Sequence, residues 1–237
     1  MTGFLAIYRK ELTGYCYSLL SYIFMVVFLV ILGWLFWQNV FLVGQTTMRD
    51  WFSLLPWFFL FLVPALAMRL WSEDKKQGTI ETLLTLPVSD SQVILAKFLA
   101  ADTFLAIVLV FSLPIPITLA RLGELDWGPV VGAYLGAWLL GGTYLALGQW
   151  LSSLTKNQIV AFLVTVAMAF GLVLLGLPGV TSGSGTIAAV IASLSPLTHF
   201  TNLAKGVISA RDLVYYLSAI GLFLYCNKYV LNRRHYS

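Results

Sequence analysis

The apolar positions of this chain fall in long unbroken runs, and its polar residues collect between them. Runs at about 22–43, 51–68, 98–119, 130–151, 159–177 and 213–231 are each near the roughly 20 residues that a helix needs to cross hydrocarbon. None alternates with a period of two, so none reads as a half-buried strand. Backbone in lipid must satisfy its own hydrogen bonds, which leaves helices or closed barrels. The pattern predicts an all-α integral membrane protein, a single transmembrane domain over 1–237 with six crossing helices.

Three departures from the runs refine this picture. At residues 3–19, Phe4, Leu5, Tyr8, Leu12, Tyr15, Cys16 and Leu19 recur at helical spacing, with Arg9, Lys10 and Thr13 off the stripe. A cationic amphipathic helix beside a span reads as lying in the membrane interface, in preference to an extension of the first span. The second departure is proline: Pro56 and Pro64 inside the second run are expected to kink or unwind it, and Pro114 and Pro116 to break the third. The third is the segment from about 178 to 212. It opens with a Gly/Ser-rich linker composition and contains an apolar stretch, 186–194, too short to cross and suited to a re-entrant element packed against protein.

Composition agrees with the pattern. Of the 237 residues, 59% are hydrophobic and 10% charged, against about 25% charged in soluble domains, and mean hydropathy is +0.88. The net charge of +4 is what cations at cytoplasmic helix ends produce and calls for no nucleic acid. With six spans both ends share a side. Of the 14 cations, Arg49, Arg121, Lys205 and Arg211 fall on the other side and ten on the side of the termini. The positive-inside rule thus predicts cytoplasmic termini. Ser89 and Gln92 form a capping-box pattern at the start of the third helix. Gly128, Gly132 and Gly136, spaced by four, let another helix approach closely, within one subunit or between subunits. Cys16 and Cys226 are far apart and expected near the cytoplasm, which argues against a disulfide. The first apolar run is too long for the core of a signal peptide and is expected to remain as the first span.

Candidate chemistry is sparse. No Gly-x-x-x-x-Gly-Lys-[Ser/Thr] phosphate loop occurs, so the chain is not expected to be an enzyme or to bind a cofactor itself. His199 and His235 are isolated and expected on opposite sides, which gives no metal site; His199 reads as structural or interfacial. The centres of the runs lack charges. Asp102, one or two turns inside the third helix, is expected to pair with a cation such as Lys97. This weakens an ion-coupled secondary transporter, which would place carboxylates or broken helices at the midplane.

Energy must therefore enter from elsewhere, and the charged segment between the second and third runs is where it can. Glu73, Asp74, Lys75 and Lys76 lead to Gly78, which interrupts the helix, and Thr79, which can cap a new one. Ile80, Leu83 and Leu84 then share a face at i, i+3, i+4, Glu81 falls on another side, and Pro87 stops the helix. So short a helix is marginal alone in water. Its apolar face suits a partner's groove and suits the chain's own helices equally well.

Two motifs carry a resemblance. Trp71-Ser-Glu-Asp-Lys-Lys-Gln-Gly-Thr-Ile-Glu-Thr-Leu-Leu-Thr-Leu-Pro-Val-Ser-Asp90, followed by Lys97, resembles the signature loop of ABC-2-type transporter permeases. Ser195-Pro-Leu-Thr-His-Phe-Thr-Asn-Leu-Ala-Lys-Gly-Val-Ile-Ser-Ala-Arg-Asp-Leu-Val-Tyr-Tyr216 is similar to the segment before the last helix in the short GldF-like branch, named for gliding motility. The resemblance implies two six-span subunits, alike or related, in a bacterial cytoplasmic membrane. It further implies two separate ATPase subunits that bind ATP and magnesium, and a coupling helix at about 79–86 docking on the ATPase with Glu73 and Asp74 at its approach. Export is the implied direction. One rival is a non-transporting mechanical or assembly subunit for envelope proteins, which would share every motif. The other, an ion-coupled transporter, would work from an ion gradient with no ATPase.

Overall fold

In the computed structural model of the chain, residues 2–43, 47–79, 88–177 and 186–234 are described. Every regular element among them is an α-helix: α1 (Thr2–Cys16), α2 (Leu19–Val43), α3 (Arg49–Ala67), α4 (Arg69–Gln77), α5 (Asp90–Ser112), α6 (Pro114–Leu122), α7 (Trp127–Ser152), α8 (Gln158–Leu174), α9 (Thr186–Leu194), α10 (Pro196–Ala204) and α11 (Ala210–Arg234).

Four stretches are long and apolar enough to cross a membrane: Leu19–Leu42, Arg49–Gln77, Asp90–Leu122 and Trp127–Ser152. The apolar α8 has 17 residues, a rise of about 26 Å against a hydrocarbon core of about 30 Å. Helix α11 has the length but carries Asn227 and Lys228 in its second half.

The second and third stretches are each two helices in near-continuity. Helix α3 stays helical through Pro56 and Pro64, so of the expected kink or unwinding the unwinding does not occur, and the interruption comes at Met68, where Met68 N still donates to Pro64 O at 2.8 Å. The backbone at Met68 stays in the right-handed helical region, so α4 continues from α3. Leu113 interrupts the third stretch just before Pro114, where the ring removes a donor. Helix α5 starts at the expected cap: Ser89 is extended, and Gln92 Oε1 accepts from Ser89 N at 3.2 Å. Helix α1 is separated from α2 at Tyr17 and Ser18 and packs along α5, where Tyr8 Oη and Thr103 Oγ1 lie 2.9 Å apart.

Helix α7 is the axis of the bundle. It touches α3, α4, α5, α8, α10 and α11. Its small residues explain how so many neighbours reach it. A Cβ on Gly132 would lie 2.5 Å from Leu203 O, and one on Gly148 would lie 2.5 Å from the Ala67 Cβ. A Cβ on Gly141 would collide with Leu105. Around this axis Trp51, Leu55, Phe59, Leu105, Leu140 and Tyr144 are buried. Helix α2 lies at the rim, with Phe28, Leu32 and Phe36 turned inward and Val30 and Trp34 outward, as a helix facing lipid on one side would be.

Candidate functional site

Helix α4 is the polar element of the bundle, and three sets of contacts fix it. Its last turn ends at Gly78, whose φ of 73° is left-handed and whose N–H donates to Asp74 O; glycine takes this conformation without steric cost. Leu70, Trp71, Ser72 and Lys75 turn inward. The Lys75 amine donates to the Ser153 carbonyl at the C-terminal end of α7, where the helix dipole favours a cation. At the start of α4, Arg69 pairs with Glu73 at 3.1 Å, donates to Ser18 Oγ at 2.9 Å and stands over the Tyr15 ring, 5.2 Å from its centroid. Tyr15 Oη donates to Leu66 O at 2.8 Å. Burial pushes the Tyr15 phenol far above its ordinary range, so it remains a donor.

The centre of the cluster is Lys97, which is 1% exposed. Its ammonium donates to Glu11 Oε1 of α1 and to Asp74 Oδ2 of α4, both at 2.7 Å, and lies 5.2 Å from the centroid of the Trp71 ring. Asp74 uses its other oxygen as well: Thr79 Oγ1 donates to Oδ1 at 3.1 Å. A buried ammonium is tolerated only when paired and hydrogen-bonded, and here two carboxylates and an aromatic face provide that.

The predicted site residues are therefore placed as follows. Glu73 holds Arg69, Asp74 holds Lys97, and Thr79 closes back on Asp74. Ile80, Glu81, Leu83 and Leu84, the core of the expected coupling helix, lie outside the described residues. Gly132 and Gly136 face α10 of the same chain: a Cβ on Gly136 would lie 3.1 Å from Leu203 Cβ and 3.2 Å from Phe200 Cδ2. Gly128 sits in the cap of α7, where Asp126 Oδ1 accepts from its N–H at 3.0 Å. Its backbone lies under Gly206, whose φ of 83° and close approach both call for glycine.

Asp102 does not meet Lys97. It accepts from Trp138 Nε1 at 3.0 Å instead, because Lys97 is already engaged on the α1 and α4 side of its helix. His199 has the structural role expected as one of its two alternatives. It is buried, with Nδ1 2.6 Å from Asp212 Oδ1 and Nε2 2.9 Å from Ser193 O, and stacks on Tyr215 at 3.9 Å. Tyr215 Oη donates to Leu194 O and Tyr216 Oη to Pro196 O, at 2.6 and 2.7 Å. The second sequence motif is thus a clamp that ties the α9–α10 corner to the first turns of α11. Among the described residues no group of three or more His, Cys, Asp or Glu is arranged to hold a metal.

Sequence reasoning did not pick out Glu11, and it gave Lys75 only as part of the charged approach, without its partner on α7. The available signal was Lys97: a lysine inside an apolar helix requires a counter-ion, and Glu11 is the one carboxylate in α1. At the opposite end of the bundle, Arg49, Phe52, Glu124, Asp126, Phe200 and Lys205 line an open cavity of about 710 Å³.

A family model described as "ABC-2 family transporter protein" matches residues 43–226, well over half of the chain. No curated protein matches it. The chain belongs to the ABC-2 family of transporter membrane proteins, as a non-catalytic permease-type subunit.

Proposed function

We propose that this chain is the membrane-spanning permease subunit of an ATP-driven ABC-2-type transporter, acting as an exporter and coupled to separate ATPase subunits through residues 73–87. The observation that supports this reading is the fixed geometry of α4. Glu73, Asp74 and Thr79 are held by Arg69, Lys97 and each other, and they lead directly into the segment whose pattern at Ile80, Leu83 and Leu84 suits a partner's groove. A force on that segment would pass into α3, which continues α4, and into α7 through Lys75 and Ser153.

In this reading six helices cross, α8 and α11 with the four longer stretches, and both termini face the cytoplasm of a bacterium. Helix α1 lies in the inner leaflet's interface, and α9 and α10 form a re-entrant unit at the outer face. The location of α1 and α4 at one end of the bundle, with α9 and α10 at the other, is consistent with that orientation. Two permease subunits, identical or related, and two ATPase copies complete the complex. The branch is GldF-like, on the strength of the 195–216 motif. ATP and magnesium belong to the ATPase.

The test is co-purification of the ATPase subunits, with ATP turnover of the complex, for Glu81→Ala and Leu84→Asp. Loss of association or of turnover is expected. Wild-type association and turnover in both variants would sink the docking assignment.

A further inference from the structure

The ionic contacts of α4 reach two other helices, α1 and α5. Glu11 lies in α1, Asp74 in α4 and Lys97 in α5, and a single buried ammonium joins all three. Asp74 is bound on both oxygens, by Lys97 on one and by Thr79 on the other. Thr79 is the last described residue before the docking segment. A displacement of Thr79 is therefore handed through one carboxylate and one ammonium to α1. A second link runs in parallel, from Arg69 to the Tyr15 ring and to Ser18.

Packing alone does not ask for such an arrangement. A buried ion pair gives little net stability over well-packed apolar residues of the same volume, but it fixes which groups must face each other. Lys97 without its charge would leave Glu11 and Asp74 as two carboxylates around one site, which repel. The hub thus has two conditions, joined with the cation and pushed apart without it.

We propose that Lys97 is a positioning residue for energy coupling: it locks α1 to the approach of the docking segment, so that α1 and α4 move as one unit when the ATPase acts. This rests on the docking reading given above. Without the lock the docking segment would still bind, and its motion would no longer be transmitted in full.

The experiment has two arms. In the first, the chain alone is reconstituted in liposomes with Cys16→Ser and Cys226→Ser, and spin labels are attached at Lys10→Cys and Lys76→Cys, both positions being exposed. Electron–electron resonance then reads the distance between α1 and α4. A narrow distribution is expected in this background, a broad or longer one with Lys97→Met, and the narrow one again with Lys97→Arg. In the second arm, ATP turnover of the assembled complex is measured. Lys97→Met is expected to lower kcat about tenfold, equivalent to about 1.4 kcal/mol in activation free energy, with KM for ATP unchanged, and Lys97→Arg is expected to restore it. Glu11→Gln, which keeps one carboxylate on the ammonium, gives an intermediate loss and covers the case in which Lys97→Met does not insert. An unchanged distance distribution, or wild-type kcat in Lys97→Met and Glu11→Gln, overturns the proposal. If the wild-type chain captures no ATPase at all, the docking reading fails, while the distance arm still decides the lock.

Discussion

Replacing Gly132 by alanine sets two effects of similar size against each other, and the structure says which wins. Alanine in place of glycine in a helix interior gains about 1 kcal/mol from backbone entropy. The added methyl at position 132, however, would stand 2.5 Å from Leu203 O and 3.3 Å from Gly206 Cα. Carbon–oxygen contacts lie at about 3.3 Å or more, so something must give by about 0.8 Å. The obstacle is backbone, and that backbone is held on the far side by Tyr216 on Pro196 O and by His199 between Asp212 and Ser193. Overpacking of this kind costs about 1–3 kcal/mol. Gly171 is the control: it lies within α8, and a Cβ there meets nothing within 4 Å, so only the entropic gain applies. Gly132→Ala should therefore be about 1–3 kcal/mol less stable than Gly171→Ala. For a chain of this size that is roughly 2–12 °C in melting temperature. Thermal melting of both variants in the same detergent, followed by size-exclusion recovery, reads the difference. Because Leu203 is in the same chain, the difference should not change on dilution. Equal melting of the two variants would refute the packing argument, and a difference that vanishes on dilution would assign Gly132 to a contact between subunits.

Two further predictions follow from single contacts. Tyr15→Phe leaves Leu66 O without its buried donor and should cost about 1–3 kcal/mol, seen as a lower melting temperature with no change in subunit composition. His199→Phe keeps a ring against Tyr215 but leaves the Asp212 carboxylate buried and unpaired. A loss of about 3–5 kcal/mol is expected, and much of it should return in His199→Phe with Asp212→Leu, since removing both partners leaves no orphaned charge. A double variant no better than the single one would show that the pair is not the source of the loss.

The apolar runs made the helices legible, because a helix that meets lipid or core must be apolar along most of its length, and that shows in the chain itself. The break near Pro114 and the cap at Ser89 were legible for the same reason: proline and the Ser/Gln pair act on their own neighbours. Of the two effects expected of Pro56 and Pro64, local unwinding does not occur: α3 is helical through both rings, and the interruption falls at Met68. The site was legible in part. Glu73, Asp74 and Thr79 stood out as polar residues next to a helix stop. Their partners did not, because nothing in the local pattern tells which of several charges a lysine will meet. Asp102 shows this: Lys97 is five positions away in the same helix, yet Asp102 binds Trp138 and Lys97 binds residues 86 and 23 positions away.

What the sequence by itself determined, then, is a helical membrane protein with a charged segment between its second and third apolar stretches, two motifs and a family resemblance. Those properties depend on composition and on spacing along one helix, and both are local. Only the tertiary structure decided that α7 is the axis, that Gly132 and Gly136 receive α10, that His199 is a buried clamp and that Lys97 ties α1 to α4. Each of these is a contact between residues far apart in the chain. Such contacts are set by which helix faces which, and that choice comes from packing of the whole bundle at once.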